Sequence, residues 1–244
     1  MYFCSINNNN NNNMASTTKK VSCIDCVKKN DLFKHLNDEE LLLIDKTKTE
    51  VIYNKGEIIF KQGTPITHIV SITKGLVKIY IEGIYKKNLI LQYSSSNEFV
   101  GGPGTFIDNM HHFSVMAIEE TSACLIDANV FKNLLQKNIA FSYAYIEDIS
   151  KKGIYNFDRF VSLTQKQMHG RIAEALLYFA DVVYANQQDG FPFNRKEIAE
   201  LTALSKDSAG RILNSLVESN IIKVKENYIK IINRKQLENI CEKG

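Results

Sequence analysis

The stretch FNRKEIAELTALSKDSAGRILNSLVESNIIKV, residues Phe193–Val224, carries the clearest structural pattern in this chain. Its apolar residues predict a short helix over Arg195–Thr202, and Ala203–Ser205 then interrupts the pattern. A second helix is predicted over Lys206–Ser219, because its apolar residues recur at spacings of three and four. Ser205 precedes that helix and is a good N-cap. The stretch therefore predicts two short helices joined by a tight turn.

The polar face of the second predicted helix carries Lys206, Asp207, Gly210 and Arg211. A helix-turn-helix needs such a helix, with one apolar face for docking and a polar N-terminal face for the major groove of DNA. An arginine can grip guanine with two hydrogen bonds, and a carboxylate can accept one from cytosine. The stretch thus predicts a DNA-reading element.

A β-hairpin is predicted after this element, with strands Ile221–Val224 and Tyr228–Ile232. A hairpin in this place is the wing of a winged helix. Its lysines fit contacts to DNA phosphates, and the alternative is a solvated charged hairpin. The positive charge of this part of the chain is carried by Arg195, Lys196, Lys206, Arg211, Lys223, Lys225 and Lys230.

Length and composition set limits on the protein class. With 244 residues, 44% of them hydrophobic, the chain can form two domains with ordinary cores. The net charge of +3 says little, because a DNA-binding charge can be local. No apolar run reaches membrane-spanning length, and no signal peptide is recognisable. The five cysteines do not form a secreted framework, so a cytoplasmic location is expected.

The rest of the chain predicts an α+β organisation in four parts. A disordered tail is expected over residues 1–22 because of the run Asn7–Asn13. Residues 23–136 follow as a β-roll or jelly roll, 137–164 as a long dimerisation helix, and 165–244 as the winged helix-turn-helix. A capping box is expected where Asn37 precedes a short helix that ends at Thr47.

Short alternating segments bounded by glycines predict the β-roll. The predicted strands are Glu50–Tyr53, Ile58–Phe60, His68–Thr73, Leu76–Glu82, Lys87–Tyr93, His112–Ile118 and Ala123–Asp127. Helices are predicted over Asn129–Gln136, Ile139–Leu163 and Gln165–Ala185. The long helix carries a candidate two-helix seam, although packing on its own β-domain is the alternative. The seam comprises Ile146, Ile149, Gly153, Asn156, Phe160 and Leu163.

In this order, the elements resemble the CRP/FNR family of bacterial transcription regulators, from about Cys23 to the C-terminus. Four segments and the recognition helix carry the resemblance. They are Lys55–Gly63, Thr73–Tyr80, Asn97–Gly101, Gly170–Leu177 and Ser205–Leu213. The resemblance implies a homodimer that binds a palindromic operator on double-stranded DNA and contacts RNA polymerase. It places base or phosphate contacts on Lys206, Asp207 and Arg211. Asp207 is one methylene shorter than the family's usual Glu, and Gly210 offers no side chain.

The resemblance also places an effector pocket in the β-roll, with Gly101, Gly102, Gly104, His112, Asn156 and Phe157 as its candidate residues. Cyclic-nucleotide-binding relatives carry an acidic residue where Gly102 stands and an arginine near the position of His112. The sequence therefore leaves no cation for the cyclic phosphate, and cyclic AMP is not expected. The pocket-loop glycines can still offer N–H groups to another anion.

The iron–sulfur branch of the family needs four cysteines, and Cys23, Cys26 and Cys124 match three of them. The third N-terminal ligand falls at about Leu32. Three alternatives stay open: a non-cysteine fourth ligand such as Asp25, His35 or a histidine of the pocket loop, a Cys23–Cys26 redox pair, or no cofactor. The absence of a cofactor is the interpretation we prefer.

An unrelated alternative is a cupin-like metal-binding protein or enzyme that uses His111, His112 and Glu119 or Glu120. Adjacent histidines on a strand point to opposite faces, whereas cupin sites usually need alternate residues. No nucleophile has a supporting base at a recognisable spacing, and there is no P-loop. The sequence therefore favours a regulator that is not an enzyme.

Overall fold

The computed structural model describes residues 22–26, 31–185, 187 and 189–244. The tail predicted over 1–22 lies outside this part of the chain except for its last residue, and so does Cys4. A β-rich half, a long helix and a helical half with a small sheet follow one another in the order that the sequence predicts. The α+β fold class is confirmed.

Two four-stranded antiparallel sheets form the β-roll. Their strand orders are β1–β8–β3–β6 and β2–β7–β4–β5. Val70, Ile72 and Ala123 from the first sheet pack against Val77 and Val115 from the second, and this contact makes the core of the roll. The strands are β1 (Thr49–Tyr53), β2 (Ile58–Phe60), β3 (His68–Lys74), β4 (Val77–Glu82), β5 (Asn88–Ser94), β6 (Phe99–Val100), β7 (Ser114–Ala117) and β8 (Thr121–Asp127).

Two predictions for the roll need correction. The strand predicted over His112–Ile118 begins only at Ser114, because His112 is held in the preceding turn by its 3.0 Å contact with Asp108. The two-residue strand β6 was not predicted, because it is too short to show an alternating pattern. The other strand bounds differ from the prediction by at most two residues.

Three helices surround the roll: α1 (Asp38–Thr47), α2 (Ala128–Lys137) and α3 (Ile139–Gln165). The predicted capping box is confirmed at α1. The Glu40 N–H donates to Asn37 Oδ1, and the Asn37 N–H donates to the Glu40 carboxylate, both at 2.9 Å. Within the described residues, no helix combines the length and the hydropathy that a membrane span requires.

Helix α3 has two different faces. Ile149, Gly153 and Asn156 from the predicted seam line a cavity against the roll. The most exposed apolar residues form a stripe that lies about one residue further around the helix than the predicted seam. The reason is that part of the predicted seam is buried against the roll. This stripe consists of Tyr143, Ile146, Ile154, Phe157 and Val161, each more than half exposed.

The C-terminal half is a helical bundle with a three-stranded sheet in the order β10–β11–β9. Helix α6 carries the predicted recognition face, and the β10–β11 hairpin is the predicted wing. The elements are α4 (Met168–Tyr178), β9 (Phe191–Pro192), α5 (Arg195–Thr202), α6 (Lys206–Glu218), β10 (Ile222–Lys225), β11 (Tyr228–Ile231) and α7 (Arg234–Lys243).

The single helix predicted over Gln165–Ala185 is wrong. Lys166 has an extended backbone, and its carbonyl accepts a 3.1 Å hydrogen bond from Arg171 Nε, which holds the break between α3 and α4. Helix α4 then ends at Tyr178, where a π-helical turn begins. Helix α7 was not predicted, because it is short and mostly polar. It is capped by Asn233 and anchored on α4 by Leu237, which is fully buried.

The two halves share one hydrophobic core. Strand β4 shows this directly, because its residues are buried on both faces. Val77 and Ile79 point into the roll, whereas the outward-facing Tyr80 packs with Ile198 of α5 and other residues of the C-terminal half. Tyr93 of β5 joins the same cluster, and its N–H donates a 3.0 Å hydrogen bond to the Tyr178 hydroxyl.

A buried charge lies at the centre of this joint. Lys78 faces outward from β4, and its side chain is only 10% exposed. Its ammonium lies 2.9 Å from the Glu197 carboxylate and 3.9 Å from that of Glu200, both on α5. The Tyr93 hydroxyl donates to Glu197 at 3.5 Å. A buried ammonium with these partners ties the first helix of the helix-turn-helix to the roll.

Replacing Lys78 by Met leaves Glu197 and Glu200 buried without their shared ammonium. We expect the free energy of unfolding in urea to fall by about 3–5 kcal/mol. The matched control is Lys74→Met, which removes the 3.1 Å pair with Glu120, where both side chains are at least 60% exposed. That control should cost about 0–1 kcal/mol. Equal losses in the two variants would contradict the assignment of Lys78 to a buried joint.

Candidate nucleic-acid interface and effector cavity

Helix α6 is held by its N-cap and by its buried face. Ser205 Oγ accepts a 3.1 Å hydrogen bond from the Ser208 N–H. Ala203 adopts a left-handed conformation with φ of 53°, which makes the tight turn between α5 and α6. The apolar face of α6, which includes Ala209, Ile212, Leu213 and Leu216, is buried in the core. This packing fixes which side of α6 faces solvent.

The opposite side of α6 presents Lys206, Asp207 and Arg211 to solvent. A Cβ on Gly210 would meet no atom within 4 Å, so the helix surface is open at that position. Arg211 Nη2 lies 3.4 Å from Ser208 Oγ, a contact that leaves most guanidinium donors available. The structure therefore brings all four predicted recognition residues to one accessible face.

The wing adds three lysines on one face of its hairpin. Lys223 pairs in register with Lys230, and Lys225 lies two residues further along the same strand. Lys230 forms a 3.2 Å ion pair with Asp189. Lys223 and Lys225 are exposed and form no ion pair within the described residues. These two lysines are therefore the better candidates for phosphate contacts.

A cleft of about 660 Å³ separates part of this surface from the β-roll. Arg195 and Lys206 line it on one side, and Lys55 and Glu119 line it on the side of the roll. Two of the predicted DNA contacts thus face the chain's own roll. The docking of α5 on β4 and β5 creates this arrangement.

A second cavity, of about 590 Å³, lies between the roll and α3 at the predicted effector site. Gly101, Gly102 and Asn156 line it as predicted. Most of the remaining lining is aliphatic or aromatic. Lys152 is the one charged side chain among the described residues that line the cavity. The expectation that no cation remains at this site is therefore wrong, because the lysine comes from α3 and not from the loop.

Three predicted effector residues do not line the cavity. Gly104 packs inside the loop, where a Cβ would clash with the Met110 carbonyl oxygen. His112 is turned toward Asp108. Phe157 lies on the outer face of α3 and is 67% exposed. The turn around Asp108 places His112, and the orientation of α3 about its own axis places Phe157. Neither can be read from the position of a residue in the sequence.

Cyclic AMP does not fit this cavity. Gly102 has no carboxylate for a ribose, and no arginine lines the cavity within the described residues. The Lys152 ammonium already donates to the Phe99 carbonyl at 2.9 Å and contacts Asp148 at 2.7 Å. One donor of this ammonium remains, but the mostly aliphatic and aromatic lining would leave polar groups of the ribose and the purine without partners.

The two adjacent histidines do not form a metal site. His111 stacks on Phe60 with ring centroids 3.8 Å apart, and burial lowers the pKa of its imidazole. His112 is exposed and contacts Asp108. The described residues contain no group of three His, Cys, Asp or Glu side chains that could hold a metal ion.

Cys23, Cys26 and Cys124 are brought together around one small cavity of about 20 Å³. Lys48 lines the same cavity, and its ammonium is paired with Asp45 and Glu50 at 3.2 and 2.9 Å. Burial raises the pKa of the Cys23 thiol and raises that of Cys124 to about 11. The family's iron–sulfur cluster needs four cysteine ligands, and within the described residues three cysteines come together here.

The fold and the surface of α6 define a DNA-binding transcription regulator with a cyclic-nucleotide-binding type of β-roll. Two family models match the chain: the cyclic nucleotide-binding domain over residues 50–138 and the Crp-like helix-turn-helix domain over residues 170–240. The chain belongs to the CRP/FNR family of transcription regulators, whose members are not enzymes. This finding overturns the cupin-like alternative.

Two curated relatives show the extent of the similarity. The cAMP-activated global transcriptional regulator CRP of Salmonella typhimurium is 26% identical over 174 residues, which are 70% of this chain and 83% of that protein. The fumarate and nitrate reduction regulatory protein of Yersinia pestis is 24% identical over 225 residues, or 89% of each chain.

Two solved structures show the same fold. FixK2 of Bradyrhizobium japonicum has a TM-score of 0.70 at 20% identity, covering 80% of this chain and 97% of that one. The c-di-GMP responsive global regulator CLP of Xanthomonas campestris has a TM-score of 0.71 at 20% identity, covering 80% and 99%.

The raised pKa of Cys124 predicts slow alkylation of the native protein. Only the thiolate reacts, and burial keeps this thiol protonated up to about pH 11. We expect iodoacetamide at pH 8 to modify Cys124 far more slowly in the folded protein than in urea. Peptide mass spectrometry measures both rates. Equal rates in the two states would show that the thiol is not buried as described.

Proposed function

We propose that this regulator binds a two-fold symmetric operator as a homodimer in the cytoplasm, with α6 of each protomer in the major groove. The exposed row of Lys206, Asp207 and Arg211 on a capped and docked helix is the observation that carries the proposal. Arg211 is the candidate base reader, Lys206 a base or phosphate contact, and Asp207 an acceptor with a shorter reach. Lys223 and Lys225 would contact phosphates.

The stripe on α3 supports the dimer. Its members from Tyr143 to Val161 lie on one side of the helix at spacings of three, eight, three and four residues, with Ser150 in the gap between Ile146 and Ile154. Exposed apolar rows of this length are typical of protein interfaces, and a second copy of α3 would bury both rows. Two recognition helices would then be available for two half-sites about one helical turn apart.

The interdomain cleft supports control by domain movement. Lys206 and Arg195 line the cleft beside the roll in the docked arrangement, so a change in the angle between the two halves, which has to strain the contacts of Lys78 with α5, would change their access to DNA. A small ligand in the cavity beside α3 would shift the balance between such states. The proposal also includes a contact with RNA polymerase, which is inferred from membership of the family. The proposal includes no resident metal or cluster, because three cysteines do not complete the family's four-cysteine ligand set.

An operator selected from random duplexes tests the assignment of Arg211. Arg211→Ala should weaken binding to that operator by about 1–3 kcal/mol and relax one base preference. The matched comparison is Lys225→Ala, which should weaken all duplexes alike and lower the salt slope by about 1. Gel-shift titrations at several salt concentrations measure both effects. An unchanged affinity and preference in Arg211→Ala would exclude Arg211 as a base reader.

A charge in the stripe on α3 should separate the proposed dimer. Phe157→Glu buries two carboxylates at the interface, so we expect a monomer in sedimentation velocity and a loss of operator binding. The control is Ile52→Glu, which places the same charge on a 62% exposed isoleucine of β1. That variant should stay dimeric. A dimeric Phe157→Glu protein would place the subunit contact elsewhere.

A further inference from the structure

We propose that the cavity between the roll and α3 binds a small apolar monocarboxylic acid and not a nucleotide. The inference rests on the proposed function, because it names the ligand class for the proposed effector site. Two properties of the cavity carry it: an extended apolar wall and a single cationic side chain at one position. The volume of about 590 Å³ lies within the usual range for small-molecule sites.

The apolar wall is contributed by three separate parts of the chain. Ile79 and Leu91 come from the roll, Ile149 comes from α3, and Phe106 and Ile107 come from the intervening loop. The two loop residues are 55% and 79% exposed, which is unusual for side chains of this size. An acyl or aryl group in the cavity would cover them, and burial of this apolar surface would favour binding.

The charged end of the ligand follows from Lys152. An ammonium has three donors, and Lys152 spends two of them on the Phe99 carbonyl and the Asp148 carboxylate. The third donor is available to a ligand. Asp148 itself does not line the cavity, so the cavity presents a cation and no anion among the described residues. An apolar body with one negative end matches this charge distribution.

The Tyr145 hydroxyl is a second hydrogen-bond donor for a ligand, and it lies close to Gly101 at the start of the pocket loop. Tyr145 is only 5% exposed, and its hydroxyl makes no hydrogen bond within the described residues. A Cβ on Gly101 would lie 3.6 Å from that hydroxyl, so the hydroxyl lies at the cavity wall. Burial raises the pKa of Tyr145 to about 12, which keeps the hydroxyl a donor at neutral pH. A carboxylate has two oxygens, one for the ammonium and one for this hydroxyl.

Ligand binding at this place would reach the proposed subunit contact through one helix. Lys152 and Ile149 line the cavity, whereas Ile146 and Phe157 on the same helix belong to the exposed stripe. A ligand that pulls Lys152 toward the roll would also turn the stripe. Binding of the acid would thus change the DNA-binding half through a movement of α3.

The test compares two acids with their matched alcohols on the full-length protein. The probes are octanoate with 1-octanol and 3-phenylpropionate with 3-phenylpropan-1-ol, titrated by calorimetry below their aggregation limits. We expect at least one acid to bind about tenfold more tightly than its alcohol, which corresponds to about 1.4 kcal/mol. Lys152→Met should remove this preference and leave the alcohol affinity unchanged.

The control variant is Lys151→Met, which removes the neighbouring lysine of α3, whose side chain is 71% exposed. It should keep the preference for the acid. Thermal unfolding of both variants checks that they are folded. The proposal is overturned if neither acid binds, if the acid and its alcohol bind equally, or if Lys152→Met keeps the preference. Operator binding is measured in a separate assay, so the ligand affinities can still be interpreted if the protein does not bind DNA as proposed.

Discussion

The contact between the Lys78 ammonium and the carboxylates of α5 is the interaction on which the arrangement of the two halves depends. It lies on the outer face of β4, which a free roll would expose to water. Removing an ammonium from water is costly, and the cost is offset only where oxygen ligands replace the lost hydration. Glu197 and Glu200 supply those ligands, and the apolar contacts around Tyr80 and Tyr93 exclude water from them. The first helix of the DNA-binding element is thereby fixed to the strands that also form the roll.

Helix α3 links the other functional features because its faces serve different purposes. One face closes the cavity through Ile149, Lys152 and Asn156, and the other presents the apolar stripe. Its C-terminal end meets the DNA-binding half, where Arg159 donates to the Leu201 carbonyl and Ser162 to the Glu174 carboxylate. A rotation of this helix would therefore change the contacts at the cavity, at the proposed subunit interface and at the helix-turn-helix. Such a shared element is the physical requirement for coupling between distant sites.

Sequence reasoning succeeded where the signal lies within a few residues. The capping box at Asn37 and the Ser205 cap before α6 are local patterns, and both are present in the structure. The short-range periodicity of α6 also fixes which residues reach its outer face. The four recognition candidates could therefore be placed from the sequence alone, although their roles on DNA stay predictions.

The features that sequence reasoning missed depend on contacts between distant segments. Lys78 looks like an ordinary exposed residue of an alternating strand, and only the docking of α5 buries it. Lys152 lines the cavity because of the way α3 is oriented about its own axis, and the same orientation places Phe157 on the outer face. The strand β6 is too short for any periodic pattern. The amphipathic helix α7 becomes recognisable through Leu237, which packs on α4 and has no local signal of its own.

Lysine acetylation of the native protein measures whether the two halves are docked in solution. Lys74 and Lys78 both belong to the β3–β4 region of the roll, but their side chains are 60% and 10% exposed. Acetic anhydride at low dose, followed by peptide mass spectrometry, gives the relative rate at each lysine. The structure predicts that Lys78 reacts at least about tenfold more slowly than Lys74, because a buried, ion-paired amine is inaccessible to the reagent. Equal rates at the two lysines would show that the DNA-binding half is not docked on the roll in solution.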